Sequence, residues 1–179
     1  KFTFNNTDSH DYTMKISDIK IANSVTTATG TYTAAGVGDW NGDATGTYTF
    51  VGLDDIAAPN PENTTELFVI PQDNENLVVT FTATLFDSSH SEESPNAIGT
   101  FRGSLKYTKL TVEGTEDNKW TAGFKYNYTA TINGSDLHDP DDPDNPDKDP
   151  KPIEFTVSAV DKWVTADDTT LNPEDTTNE

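Results

Sequence analysis

The chain has 179 residues, a formal net charge of -20 and no cysteine. That length suits one sandwich-sized domain. Without thiols there is no disulfide framework, thiolate metal site or cysteine nucleophile, and the acidity argues against nucleic acid or an anionic membrane, which are bound by clustered Lys and Arg. No stretch approaches the roughly 18 consecutive apolar residues that a membrane-spanning helix needs.

The chain opens on "KFTFNN", which is already strand-like and follows no signal peptide, so it reads as a mature or cut product. The acidic, Thr- and Asn-rich, lysine-poor composition fits a secreted or surface protein. In "YTMKISDIKI" the apolar positions change parity: Tyr12, Met14 and Ile16 are even, Ile19 and Ile21 odd. This predicts a bulge or break near Ser17 and Asp18. Residues 30–36 and 46–52 echo each other as "GTYTAAG" and "GTYTFVG", with Asn41-Gly42 between them. Asn-Gly is suited to a tight hairpin turn, so the echo predicts two arms of one hairpin with Trp40 near its tip. "LDDIAA" at 53–58 is the one stretch compatible with a helical turn.

Farther on, "LVVTFTATLF" places Leu77, Val79, Phe81, Ala83 and Leu85 on one face of a strand, and Val78 and Phe86 on the other. A weaker strand runs through "FRGSLKYTKLTV". "FKYNYTATI" alternates most cleanly, with Phe124, Tyr126, Tyr128, Ala130 and Ile132 on one side, and "IEFTVSAVDKW" does the same with Ile153, Phe155, Val157, Ala159 and Trp163. Many short strands separated by Gly, Pro, Asn and Asp clusters, with no 3.6-residue apolar stripe, predict an all-β antiparallel sandwich. One domain over residues 1–163 is expected, with an acidic Pro-rich loop at 136–152 and an acidic tail at 164–179.

The run "HDPDDPDNPDKDPKP" at 138–152 offers Asp139, Asp141, Asp142 and Asp144 as calcium candidates. A calcium loop alternates oxygen ligands, turns at a glycine and closes on a bidentate carboxylate. Counted from Asp139, Pro143 takes the third ligand position, Asp144 the glycine position and Pro150 the closing position. The recurrent prolines favour extended polyproline II instead, and like charges stretch it further. A stiff, solvent-facing loop reaching up to about 45 Å is the expectation, with strands 124–133 and 153–163 pairing on either side of it and the insertion largely surplus to folding.

Catalytic signatures are thin. A Ser-His-carboxylate triad has only His10, His90 and His138 to draw on, each in a polar, turn-like neighbourhood. Two-carboxylate glycosidase chemistry cannot be singled out among 31 acidic residues, and "GVGDWNG" lacks the lysine of a phosphate-binding loop. No enzyme activity and no cofactor are expected. Trp40, flanked by Gly and Asn, is a candidate for stacking on a sugar ring; the commoner fate of a tryptophan is to fold back on its own sheet.

"KWTAGFKYNYTATING", followed after a loop by "IEFTVSAVDKWV", resembles the C-terminal signature of the fimbrillin family, the type V pilins. The matching positions are Gly123, Tyr126, Tyr128, Val160 and Trp163, and "LFVIPQ" at 67–72 resembles the apolar-Pro-Gln segment upstream of that signature. The resemblance implies transthyretin-like Greek-key sandwiches of about seven strands, export as a lipoprotein, display at the outer membrane surface, and partners that are other pilin subunits. In that family a proteolytically opened groove accepts a C-terminal strand of the next subunit. This chain resembles the C-terminal domain alone. Its tail, "VTADDTTLNPEDTTNE", has poor apolar alternation and would make a weak donor strand. A structural or accessory fimbrial subunit with a role in adhesion to a host or bacterial surface ligand is the first functional expectation. A non-polymerising carbohydrate- or calcium-dependent binding module is the second.

Overall fold

The computed structural model describes residues 1–8, 12–33, 36–91, 94–106, 109–110, 116–141 and 149–162. Fourteen strands lie among them: β1 (Phe2–Asn6), β2 (Thr13–Ser24), β3 (Thr29–Thr33), β4 (Gly36–Asn41), β5 (Gly46–Thr49), β6 (Leu53–Ala57), β7 (Pro61–Asn63), β8 (Val78–Phe86), β9 (Ala97–Ser104), β10 (Lys109–Leu110), β11 (Glu116–Asp117), β12 (Phe124–Ile132), β13 (Lys151–Ile153) and β14 (Thr156–Lys162). One sheet runs β14-β12-β1-β7 and the other β13-β9-β8-β2-β5, with β6 also paired to β2; β3-β4 and β10-β11 form separate two-stranded ribbons. The all-β sandwich is as expected. The strands are shorter and more numerous than about seven, and two pairings, β1 with β12 and β13 with β9, are parallel. Those partners are remote in sequence, so no tight turn forces them antiparallel.

The core lies where the two sheets face each other. Phe2 and Phe4 of β1 meet Tyr128, Ala130 and Ile132 of β12 on one side, and Met14, Ile16, Ile19, Ile21, Val79, Phe81, Ala83, Leu85 and Phe101 on the other. Burial follows the alternation read in β8 and β12. In β2 the parity change is a bulge: its register with β8 shifts between Ser17 and Lys20, and Asp18 takes φ 52°. Aspartate tolerates that left-handed conformation better than most residues. The bulge turns Ile19 and Ile21 into the core and divides the outer edge of β2, which pairs with β6 before it and β5 after it. The connection between those two strands crosses close over the bulge. At Gly52 a Cβ would lie 2.5 Å from the carbonyl oxygen of Ile16, so only glycine fits.

Three local expectations are corrected. The arms of the echo do not pair with each other: β3 pairs with β4, and β5 pairs with β2. A shared Gly-Thr-Tyr-Thr pattern expresses strand propensity, which does not choose a partner. Trp40 is therefore not at a hairpin tip but opposite Gly30 near the ribbon's root. "LDDIAA" forms strand β6 rather than a helical turn, with Ile56 fully buried against β2.

The third correction concerns the aspartate run. β12 and β14 do pair antiparallel, as expected, with a register shift between Asn127 and Tyr128. Between them, however, the chain crosses to the other sheet. His138 exchanges backbone hydrogen bonds with Ile98, and β13 pairs with Phe101–Gly103 of β9. Both ends of the connection are thus part of the sandwich rather than surplus, while residues 142–148, on which the expectation of a stiff projecting loop falls, lie outside the described residues. Pro152 is tolerated because β13 is an edge strand.

Candidate functional site

Where β1 begins, the first sheet opens into a groove of about 420 Å³. One wall is β12 and the turn before it, from Trp120 to Tyr128; the other is a strap of chain from Glu66 to Pro71; Phe2, Ile21 and Phe50 line it from the core side. The ladder between β1 and β12 starts at Phe2 and Tyr128, so the stretch 124–127 of β12 borders the groove on its β1 side and β14 on its other side. The α-amino group of Lys1 donates to the carbonyl of Tyr126 at 2.9 Å. Burial pulls that amine below its ordinary pKa, opposed by the charge of Glu66.

Each wall is held by side chains of the sequence signature. Gly123 adopts φ +79° in the turn into β12, a conformation glycine takes without strain. The hydroxyl of Tyr126 accepts from the amide of Thr121 at 2.8 Å and donates to the carbonyl of Lys119 at 3.1 Å. The hydroxyl of Tyr128 accepts from Trp120 Nε1 at 2.7 Å and donates to the carbonyl of Leu105 at 3.0 Å. The two tyrosines thus fasten the turn 119–123 to their own strand. Tyr128→Phe is expected to lower stability by about 2 kcal/mol, because it strands a buried indole N–H and a carbonyl together; urea unfolding with an unchanged m-value checks it.

The strap is held at both ends. At one, Phe2 donates its amide to Thr64 Oγ1 and Thr64 donates its amide to the carbonyl of Phe2. At the other, Gln72 acts as a clamp: its Oε1 accepts from the amide of Val25 at 2.8 Å, and its Nε2 donates to the carbonyls of Val25 and Ile70. Tyr48 completes the clamp by donating to the carbonyl of Val25 and accepting from the amide of Ile70. Between these ends Leu67 and Phe68 are exposed, and Glu66 pairs with Lys125 of β12 at 3.2 Å across the mouth. This ion pair is half-exposed, worth about 0–1 kcal/mol. Gln72→Ala is expected to lower local stability by about 1–2 kcal/mol and to speed amide exchange at Val25 and Ile70 more than at β8, as read by hydrogen exchange.

The remaining sequence candidates do not converge on the groove. Trp40 lies on the β3-β4 ribbon and is 42% exposed. Asp139 and Asp141 are exposed and locked in a local turn in which the Asp141 amide donates to Asp139 Oδ1 at 2.8 Å. Asp142, Asp144, Trp163 and the tail 164–179 lie outside the described residues, as does the side chain of Val160, whose backbone pairs with Tyr126. His10 also lies outside them. His90 bonds Asp87 at 2.8 Å, and that contact, with the amide of Ser89, holds the Asp87 carboxyl below the usual carboxylate range. Among the described residues no three His, Asp or Glu side chains are grouped to hold a metal ion.

Sequence reasoning did not single out Trp120 or Gln72 as parts of this site. The signal for Trp120 was its place just ahead of Gly123, where a turn must bring it back over the strand that follows. Chemically, the groove is a trough with aromatic walls beside a strand, with the Lys1 amine and the Glu66–Lys125 pair among its polar lining. The model of a family described as fimbrillin-like matches residues 1–163. No curated protein and no solved structure matches the chain.

Proposed function

The chain belongs to the fimbrillin-like family, and from that membership we propose that it is a structural or accessory subunit of outer-membrane-associated fimbriae, with a role in adhesion, which accepts a β-strand from a neighbouring subunit in the groove beside β12. The family is one of structural fimbrial proteins rather than enzymes, which supports a place at the cell surface. The observation that supports the finer reading is the aromatic trough beside β12: the side chains of an extended segment lying in it would cover Phe50, Ile21 and Trp120, in the manner of a partner strand docking against a sheet. A net charge of -20 limits unintended pairing between copies before assembly.

The absence of cysteine from these 179 residues makes the test direct, because Ala122→Cys supplies the single thiol among them, on an exposed residue at the groove. A photocrosslinker attached there, in fimbriae assembled from the full subunit, is expected to capture a peptide of a neighbouring subunit, identified by mass spectrometry. Crosslinks confined to the same chain in assembled fimbriae would overturn strand acceptance at this groove.

A further inference from the structure

We propose that a corner pocket of the sandwich, between the edge of β12 and the chain crossing from β13 to β14, binds a neutral sugar of a glycan. The pocket has a volume of about 360 Å³, and the residues that line it are all described. It lies on the β14 side of β12, away from the groove, so its failure would leave strand acceptance untouched.

The pocket arises where two strands part. β12 and β14 pair as far as Thr129 and Thr156, and the same register would set Glu154 opposite Thr131. Ile153 is already paired with Gly103 of β9 in the other sheet, so the chain diverges from β12 and leaves a gap. The Tyr128 amide donates to Lys1 and the Ile132 carbonyl accepts from Thr7, so the even-numbered residues of this stretch turn their peptide groups toward β1. Those of Thr129 and Thr131 turn the other way. Thr129 meets Thr156, whereas the N–H and carbonyl of Thr131 have no backbone partner among the described residues and open on the pocket.

Around this open rung stand groups of both hydrogen-bonding senses. Lys151 is half-buried and held by a bond from Nζ to the carbonyl of Asp136 at 3.1 Å, which leaves two ammonium protons for a ligand. Asp136 is itself fixed by accepting from the amide of Asn133 at 2.8 Å. Glu154 is exposed, and its carboxylate has no hydrogen bond or ion pair among the described residues. Phe101, Pro152 and Ile153 supply apolar surface. Donors, acceptors and an apolar floor in one concavity suit a pyranose, which carries hydroxyls at its edge and C–H groups on its faces. From the pocket a row of directly opposed neutral side chains, Thr156, Thr129, Thr3 and Asn63, crosses the four-stranded sheet over about 14 Å. Thr3, bonded to Asn63 at 2.7 Å, is its floor, and the row offers hydroxyls and amides to further units of the glycan.

Charge selects among sugars. One ammonium against two carboxylates makes the lining net negative in a chain of formal charge -20, which disfavours a uronate, a sulfated sugar or sialic acid. A peptide strand is the weaker fit. Adding a strand needs a run of open rungs, whereas Thr131 offers one, and the facing chain contains Pro152, which has no N–H.

The test uses the full ¹⁵N-labelled chain and reads its backbone amides. The probes are gluco-, manno-, xylo- and galacto-oligosaccharides, with glucuronate as the anionic and glycine as the zwitterionic comparison. At least one neutral probe is expected to shift the amides of Thr131 and Glu154 saturably in the millimolar range and to leave the Trp120 indole, at the groove, unmoved. The double variant Glu154→Ala, Thr156→Val alters two exposed side chains and is expected to weaken that binding about tenfold or more. Glu154→Gln keeps an acceptor oxygen and is expected to weaken it only about threefold. No saturable shift with any neutral probe up to about 10 mM, an equal response to glucuronate or glycine, or binding in the double variant within about twofold of the unaltered chain would each overturn the proposal.

Discussion

Phe81→Ala is expected to lower the free energy of unfolding by about 3–5 kcal/mol, the range for deleting a fully buried phenylalanine. Phe81 is 1% exposed at the centre of β8. Its ring meets Phe4 of the opposite sheet edge-on at 4.9 Å, stacks on Phe101 of β9 at 5.3 Å, and touches Phe155 at 6.3 Å. It therefore joins β1, β9 and the segment leading into β14. The truncation leaves a void bordered by three large rings, two held by their own strands and the third by the link between β13 and β14, which limits inward collapse. That places the expected loss toward the upper end of the range. Chemical denaturation of the full chain measures it; a loss below about 1 kcal/mol would mean that the two sheets are not packed through these rings.

The second large effect concerns the groove. Val69→Arg is expected to reduce intersubunit capture at Ala122→Cys roughly a hundredfold, about 3 kcal/mol, while shifting the unfolding midpoint by only about 2–4 °C. Val69 lines the groove and is half-buried against the core edge. In the free subunit an arginine there can lay its stem along the strap and keep its guanidinium in water. An incoming strand would have to strip that water and fit around the longer side chain in a trough shaped for Val69, and both costs oppose entry. Unchanged capture in the double variant would show that the neighbour's strand does not enter here.

The parts of the fold legible in the sequence are those governed by alternation within one strand. Leu77 to Leu85 and Phe124 to Ile132 declare their buried faces because every second residue is apolar, and the slip from Ile16 to Ile19 declares a bulge for the same reason. Partner choice was not legible. The two Gly-Thr-Tyr-Thr segments are alike in propensity, yet Tyr48 packs against the core and is spent on the Val25 clamp, whereas β3 joins a separate ribbon. Ile153 and Thr156 are three residues apart in one alternating run but belong to different sheets, since alternation is indifferent to which sheet a strand joins. The signature residues Gly123, Tyr126 and Tyr128 were visible as a pattern. Their work as hydroxyl ties and a left-handed turn is a matter of distances and a φ angle, which spacing does not carry. The groove itself was least visible. Its walls come from residues 66–71 and 120–128, and no local rule connects them.

The crossing between β12 and β14 has a practical consequence. The acidic run leaves the sandwich at His138, bridged to Ile98, and returns at Lys151, paired with Phe101. Both anchors sit on β9, three residues apart, which is about 10 Å along a strand. A segment that departs and lands on the same strand transmits little of its own length to the scaffold, and doubling such a loop adds only about 0.6 kcal/mol of closure entropy. Lengthening the chain between Asp141 and Asp149 is accordingly expected to cost little: an affinity tag inserted there should lower the free energy of unfolding by no more than about 1 kcal/mol, as read by urea denaturation.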